Sequence, residues 1–250
     1  MNFFYSASGT VFSKRNFAVW FALALQAGVI NAGGFLACHR FVTHITGFAT
    51  HFGAEVSKGQ LFPALGVLAV PFFFLLGTMI SAFFTDRRTQ KNQKPLYSVV
   101  LTISTAVLGI VAVFGTIGWF GEFGEPLILS RDYILLALLC LTAGLQNAVI
   151  TSASGAVVRT THLTGITTDL GIGIVRVLNG PKDSPHRTLE NKANLLRVGL
   201  IFYFIVGSAI GAFAFTAFQY LGFTLPLALN FLLLVGTLKY ERTQGTGFTF

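Results

Sequence analysis

The residues of this chain that could do chemistry are concentrated in two polar stretches that resemble each other. The second stretch, residues 159–171, reads RTTHLTGITTDLG and combines hydroxyls, a histidine and an acid. The first stretch, residues 40–53, reads RFVTHITGFATHFG and holds the same Thr-His-x-Thr-Gly core 118 positions earlier. Hydroxyl, imidazole and guanidinium groups together can hold a small polar or anionic solute. The pattern therefore predicts a binding site assembled from two equivalent parts.

Each polar stretch is expected to begin a short helix, one at Gly47 and one at Gly165. The first N–H groups of a helix have no partners within the helix, and lipid cannot supply any. Thr46 and Thr164 are predicted to cap these groups with their hydroxyls. Two helix N-termini directed at one point would create a positive potential, which Arg40 and Arg159 would strengthen if they point inward. This favours a site for an anion, a carboxylate or the acceptor oxygens of a neutral solute.

The predicted site also includes polar residues of the neighbouring apolar helices. Amide side chains are costly in lipid unless they face protein, water or a solute. Interhelical hydrogen bonding is the alternative role for the amides, and contact with lipid headgroups is the alternative for Arg40 and Arg159. The full set of predicted binding residues is Asn31, Thr43, His44, Thr46, Gly47, His51, Gln146, Asn147, Arg159, Thr161, His162, Thr164, Gly165 and Asp169.

His51 and Asp169 occupy equivalent positions of the two stretches, 118 residues apart. In an inverted duplication the two side chains could approach each other across a twofold axis and bind or relay a proton. We call each of the two polar stretches a break, because it interrupts the helical chain. Structural roles stay open, since His44 and His162 could bond the backbone at their breaks and Asp169 could stabilise a helix dipole. The histidines do not have metal-ligand spacing, so no metal or other cofactor is predicted.

The composition indicates an integral membrane protein. Of the 250 residues, 53% are hydrophobic and 10% are charged, with a mean hydropathy of +0.71, whereas a soluble domain is about a quarter charged. The apolar residues form runs of about twenty, the length that crosses roughly 30 Å of hydrocarbon. The sequence does not have the short alternating segments of a β-barrel. The net charge of +8 lies in the loops, which points to membrane orientation and not to nucleic-acid binding.

Six apolar runs are predicted to be membrane spans, the last of them somewhat short. They cover residues 17–37, 61–84, 96–120, 133–152, 198–220 and 223–238. Two further helices, Gly47–Lys58 and Gly165–Leu178, are too short to cross at 1.5 Å per residue and are expected to be re-entrant or broken. Pro71 is expected to kink the second span, and residues 179–197 are expected to form a polar loop.

The spans divide one membrane domain, residues 1–250, into two repeats of about residues 17–120 and about residues 133–238. Residues 143–148 match residues 27–32 at an offset of 116. Three spans in each repeat would place the second repeat upside down relative to the first. Inverted repeats with broken helices are typical of transporters, whose sites lie at the repeat interface.

Small-xxx-small pairs recur at equivalent places in the two repeats. Gly207 and Gly211 lie 130 positions after Gly77 and Ser81. Such pairs allow close approach of another helix. The sequence leaves open whether they pack helices within the monomer or across a homodimer.

The charges of the loops predict the orientation of the chain. Residues 85–95 carry a charge of +3 and residues 179–197 carry +2, whereas residues 121–132 carry −2. With six spans, both basic loops and both termini share one side, which the positive-inside rule assigns to the cytoplasm.

The motifs around the breaks and the amides carry a family resemblance. The carriers are residues 31–37, 43–47, 144–148 and 159–171. With them the chain resembles the YoaK-like family of bacterial multipass membrane proteins, a domain-of-unknown-function family. The resemblance covers about Phe17 to Leu238 and implies a protein of the bacterial inner membrane. It implies no substrate.

These observations favour a secondary transporter or a channel-like protein for a small anionic or polar solute. The alternative is a non-transporting membrane scaffold or sensor, in which the breaks only pack the repeats and enclose a dry centre. No catalytic motif of a hydrolase, metalloprotease or nucleotide-binding enzyme occurs, so no enzyme activity is predicted. The expected partners are the lipid bilayer and a small solute or ion.

Overall fold

The protein is described from a computed structural model that defines residues 12–127, 130–181 and 184–244. Within these ranges the secondary structure is helical, and no strand occurs. The helices are α1 (Lys14–Cys38), α2 (Thr46–Ser57), α3 (Leu61–Val67), α4 (Ala69–Phe84), α5 (Asp86–Gln90), α6 (Tyr97–Thr116), α7 (Ser130–Ala153), α8 (Leu163–Asn179), α9 (Pro185–Phe218) and α10 (Thr224–Gln244), with a 3-10 turn at Gln219–Phe223 between the last two. The all-α prediction is confirmed.

Five stretches of helix among the described residues are long and apolar enough to cross a membrane. They are Asn16–Cys38, Leu61–Gln90, Tyr97–Thr116, Arg131–Ala153 and Pro185–Arg242. The last stretch contains both α9 and α10. The short helix α2, with 12 residues, and α8, with 17 residues, are not among them.

The long helices pack in three principal pairs, α1 with α9, α4 with α7, and α6 with α10. Glycines allow two of these pairs to approach at backbone distance, because a methyl group at each glycine would overlap a backbone carbonyl of the other helix. The overlapping partners are Phe204 for Gly28, Leu25 for Gly207, Phe74 for Gly144 and Leu141 for Gly77. The glycines of the small-xxx-small pairs therefore serve packing within the chain.

Helix α9 is longer than the sequence predicted. Residues 185–197 continue the helix where a polar loop was expected, because Ser184 caps its N-terminus and Pro185 occupies the first turn. The Ser184 hydroxyl accepts from the backbone N–H of His186 at 3.2 Å, and proline is favoured at this position. The 34 residues of α9 extend about 51 Å, so the helix exceeds the thickness of a bilayer.

The break in the second span lies before Pro71 and not at it. Helix α3 ends at Val67, and α4 begins at Ala69 after the single residue Leu68. Proline has no N–H, so Pro71 cannot donate to the carbonyl of Val67 four residues earlier. The helix is therefore interrupted one turn ahead of the proline.

Candidate functional site

An asparagine and a threonine hold each polar break against the helix that precedes it. In the second half, the Thr161 hydroxyl donates to Oδ1 of Asn147 at 3.0 Å. In the first half, the Thr43 hydroxyl donates to Oδ1 of Asn31 at 2.8 Å, and the Thr43 N–H also points to this oxygen at 3.4 Å. The two bonds join equivalent residues, at offsets of 116 for the asparagines and 118 for the threonines.

These bonds require the chain to turn back alongside the helix that it has just left. Asn147 lies six residues before the end of α7 at Ala153, or about 9 Å along the axis. Thr161 follows that end by eight residues and still reaches Asn147. Helix α8 therefore begins at the level of the interior of α7, and its N-terminus is not at the end of the bundle.

The histidine of each break lies over the first turn of the short helix that follows. The His44 Nδ1 atom is 3.7 Å from the position of a side chain on Gly47, and the His162 ring occupies the corresponding space at Gly165. A methyl group at Gly165 would displace the imidazole of His162, whereas one at Gly47 would only touch that of His44. The glycines thus position the histidines at the two helix N-termini.

The prediction that Thr46 and Thr164 cap the short helices is wrong. The N-cap residues are Ile45 for α2 and His162 for α8, and neither helix has a side-chain cap. The Thr46 hydroxyl is instead hydrogen-bonded to Nε2 of His44 at 2.6 Å. Thr164 lies inside the first turn of α8, where its hydroxyl is past the capping position.

Both breaks line one cavity of about 920 Å³, which we call the shared cavity. Its walls come from α1, α4, α7, α9 and the two breaks, and they include apolar surface from Phe41, Phe74 and Phe204. Nine of the fourteen predicted binding residues line it: Asn31, Thr43, His44, Thr46, Asn147, Arg159, Thr161, His162 and Thr164.

The other predicted residues lie outside the shared cavity. Gln146 is buried and donates from Nε2 to the carbonyl of Leu23 at 2.9 Å, a bond between helices. Gly47 and His51 line a small neighbouring cavity, and Gly165 lies beneath the His162 ring. Asp169 is exposed on α8. His51 and Asp169 are therefore not brought together in the shared cavity.

The sequence reasoning missed an acidic corner of the shared cavity. Asp86, at the start of α5, lines this cavity together with Ser152 of α7. The Thr85 hydroxyl donates to Oδ2 of Asp86 at 3.1 Å, and the Ser152 hydroxyl donates to the same oxygen. Asp86 begins the basic run after the second span and resembles an ordinary loop charge, so only its place next to a long apolar helix distinguishes it in the sequence.

The two halves treat their arginines differently. Arg40 in the first break pairs with Glu55 of α2 at 3.6 Å. Arg159 in the second break lines the shared cavity and forms no ion pair with any acid of the described residues. Asp86 likewise has no ion-pair partner within those ranges. The shared cavity thus carries one positive and one negative side chain that do not neutralise each other.

A comparison with protein families matches residues 19–237 to the family described as "Protein of unknown function (DUF1275)". The chain belongs to this family, which confirms the resemblance to YoaK-like proteins. No curated protein and no solved structure matches the chain.

Proposed function

We propose that this DUF1275 protein is a secondary transporter or channel-like protein for a small anionic or polar solute. The solute binds between the two Thr-His-x-Thr-Gly breaks, and no chemical reaction takes place there. The observation that carries the proposal is the shared cavity of about 920 Å³, which polar residues of both breaks line within an otherwise apolar bundle. Solute sites of transporters lie at the interface of repeats, where helices are broken.

The proposal includes six spans arranged as two inverted repeats. The packing supports it, because Gly28 of α1 meets the carbonyl of Phe204 in α9 as Gly144 of α7 meets the carbonyl of Phe74 in α4. Gly144 follows Gly28 by 116 positions, and Phe204 follows Phe74 by 130. Each repeat thus offers its first span to the second span of the other repeat, as a twofold relation requires. Counting α9 and α10 separately gives six crossings.

In this arrangement α2 and α8 are re-entrant helices that begin inside the membrane. The Asn–Thr bonds support this role, since each one holds a break beside the interior of the preceding span. Lipid cannot satisfy the N–H groups at such helix starts, so the groups must face protein, water or a solute. The shared cavity supplies that polar surrounding.

The loop charges support an orientation with both termini in the cytoplasm of a bacterial inner membrane. Residues 85–95 and 179–197 are basic, and residues 121–132 are acidic. Positively charged loops stay on the cytoplasmic side. The shared cavity reaches Asp86 and Ser152, at the ends of the spans that lead to the basic side. We therefore propose that the cavity faces the cytoplasm.

The alternative of a scaffold or sensor accounts less well for the cavity. A scaffold in which the breaks only pack the repeats needs a dry, filled centre. Between the breaks lie unfilled space and several hydroxyl, amide and imidazole groups. Such groups are costly to keep within a membrane protein unless they serve a polar ligand or a pathway.

Solute flux into proteoliposomes tests the proposal. Liposomes that contain the purified protein are mixed with hyperosmotic solutions, each containing one small organic anion or polar solute. Their re-swelling is followed by light scattering. We expect at least one solute to enter several times faster than into protein-free liposomes. Thr161→Val removes the bond to Asn147 and should abolish this increase.

Thr168→Val is the matched control for this experiment. Thr168 is exposed on α8, and its hydroxyl donates to the carbonyl of Thr164 in its own helix. This variant should retain the flux of the unmodified protein. Re-swelling equal to that of protein-free liposomes for the whole panel would remove the transport proposal, and full flux in Thr161→Val would remove the site.

A further inference from the structure

The acid of the shared cavity has no positive partner. Asp86 is partly buried, and both of its hydrogen bonds reach Oδ2, from Thr85 and Ser152. Within the described residues, Oδ1 accepts no hydrogen bond, and no basic side chain lies within 4 Å of the carboxylate. Glu55 and Glu190, in contrast, are both paired with arginines. A partly buried carboxylate without a cation favours a positively charged ligand.

The guanidinium of the shared cavity is also without a counter-charge. Arg159 is exposed and lines the cavity, and within the described residues its side chain has neither an ion pair nor a hydrogen bond. A guanidinium is always charged and binds carboxylates with two donors. Asp86 and Arg159 thus face one space without touching each other. The remaining titratable side chains at its walls are His44 and His162.

Apolar groups complete the wall of the shared cavity. Phe41, Ile45, Phe74 and Phe204 line it from the first break, α4 and α9. Binding sites for small molecules typically combine such apolar walls with a few placed polar groups. A solute that satisfies the whole wall has an apolar body and charges of both signs.

We propose that the solute is a small zwitterion with an apolar body, of the amino-acid type, whose ammonium group binds Asp86 and whose carboxylate binds Arg159. This inference rests on the proposed transport function and names the substrate class of the same site. A simple anion would be attracted by Arg159 but repelled by Asp86. A simple cation would be attracted by Asp86 but repelled by Arg159. A single solute molecule neutralises both side chains only if it carries both charges.

Thermal stabilisation of the detergent-purified full chain tests the substrate class with three matched sets of probes. The first set is leucine, phenylalanine, methionine and valine. The second set contains the corresponding carboxylic acids without the amino group, and the third contains the corresponding amines without the carboxyl group. At equal concentration, at least one amino acid should raise the melting temperature, because a ligand that binds the folded state stabilises it. Its two analogues should bind at least about tenfold more weakly.

Charge variants assign the two ends of the solute. Asp86→Asn should weaken binding of the amino acid at least about tenfold and remove the preference over the matched carboxylic acid. Arg159→Gln should weaken binding of the amino acid to the same extent and remove the preference over the matched amine. Asp86→Glu keeps the charge and should retain binding, which separates charge from folding. Glu122→Gln and Arg176→Gln change exposed charges that do not line the shared cavity and should bind as the unmodified protein does.

Two outcomes would overturn the inference. One is equal stabilisation by an amino acid and its carboxylic-acid analogue, with no effect of Asp86→Asn. The other is no stabilisation by any amino acid of the panel. If flux into proteoliposomes remains dependent on Thr161 in either case, the substrate class is wrong and the transport proposal stands. If the flux is also absent, both are wrong.

Discussion

The two polar breaks each have an equivalent Asn–Thr hydrogen bond, but they differ in their other contacts. At the first break, His39 Nε2 is bonded to the carbonyl of Gly124 at 2.8 Å, and Arg40 is paired with Glu55. At the second break, Gly155 and Ala156 are exposed and line the shared cavity. Contacts to Gly124 and to Glu55 of α2 therefore hold the first break, although its residues Phe41, His44 and Thr46 are exposed and line the shared cavity as well.

One pair of equivalent positions shows how the two repeats differ in their side chains. Phe215 of α9 is fully buried, fills the space beside Gly33 and Gly222, and stacks on Phe123 with ring centroids 6.1 Å apart. Thr85 is 130 positions earlier, at the end of α4, and its hydroxyl bonds the acidic corner instead. An aromatic ring fills the core beside the first break, whereas at the equivalent position a buried hydroxyl bonds the acid of the shared cavity. Equivalent backbone positions of the two repeats thus carry side chains of different chemistry.

The largest expected effect would come from breaking the backbone contacts that both repeats share. Gly144→Val and Gly28→Val each insert a branched side chain where a carbonyl of the facing helix lies. Both variants should fail to give monodisperse protein in fluorescence-detected size-exclusion chromatography. Gly109→Ala on α6 is the control, because nothing lies within 4 Å of the added methyl group, and it should remain folded. A folded Gly144→Val with a nonfolding Gly28→Val would contradict the equivalence of the two contacts.

The next largest effect would come from removing the aromatic ring of Phe215. Phe215→Ala removes a fully buried ring and should lower the free energy of unfolding by about 3–5 kcal/mol. Its equivalent, Thr85→Val, exchanges one buried hydroxyl for a methyl group and should cost about 1 kcal/mol. Unfolding by SDS titration in mixed micelles measures both values. Equal losses of unfolding free energy in the two variants would show that Phe215 does not fill the core beside the first break.

A smaller effect would distinguish the two Asn–Thr bonds. Thr161→Val leaves Oδ1 of Asn147 without the hydroxyl donor and should lower the free energy of unfolding by about 1–2 kcal/mol. Thr43→Val should cost less, because the N–H of residue 43 still points to Asn31 at 3.4 Å. The same SDS titration ranks the two variants, with Thr168→Val unchanged as the control. The reverse order would be inconsistent with the backbone contact.

The smallest effect is expected at a second equivalent pair of hydroxyls. Thr78 approaches the carbonyl of Gly144 at 3.5 Å, and Ser208 approaches that of Gly28 at 3.4 Å. Contacts this long are weak, so Thr78→Val and Ser208→Ala should each change the free energy of unfolding by less than about 0.5 kcal/mol. A loss above about 1.5 kcal/mol at one position alone would reveal an asymmetry that the distances do not contain.

The sequence predicted the repeats and most of the cavity wall, because the Thr-His-x-Thr-Gly core and the amides stand out in an apolar chain. It could not predict that Thr161 bonds Asn147, since this depends on how far the chain turns back beside α7. It placed a loop at residues 185–197, where polar side chains cover a helix beyond the apolar stretch. It missed Asp86, because an acid at the start of a basic run resembles an ordinary loop charge.

Thiol labelling from the two sides of the membrane tests most directly whether both breaks meet in one open cavity. Thr46→Cys and Thr164→Cys are made separately in a chain whose two buried cysteines, Cys38 and Cys140, are replaced by serine. A membrane-impermeant reagent is applied to each face of sealed vesicles, and Lys91→Cys in the basic loop identifies the cytoplasmic face.

Both cysteines should react from the face that carries Lys91, although the two breaks belong to different repeats. The reason is that Thr46 and Thr164 line the same cavity, which reaches Asp86 and Ser152 near that face. Failure of either cysteine to react from that face, or reaction of Thr46→Cys only from the opposite face, would contradict the shared cavity.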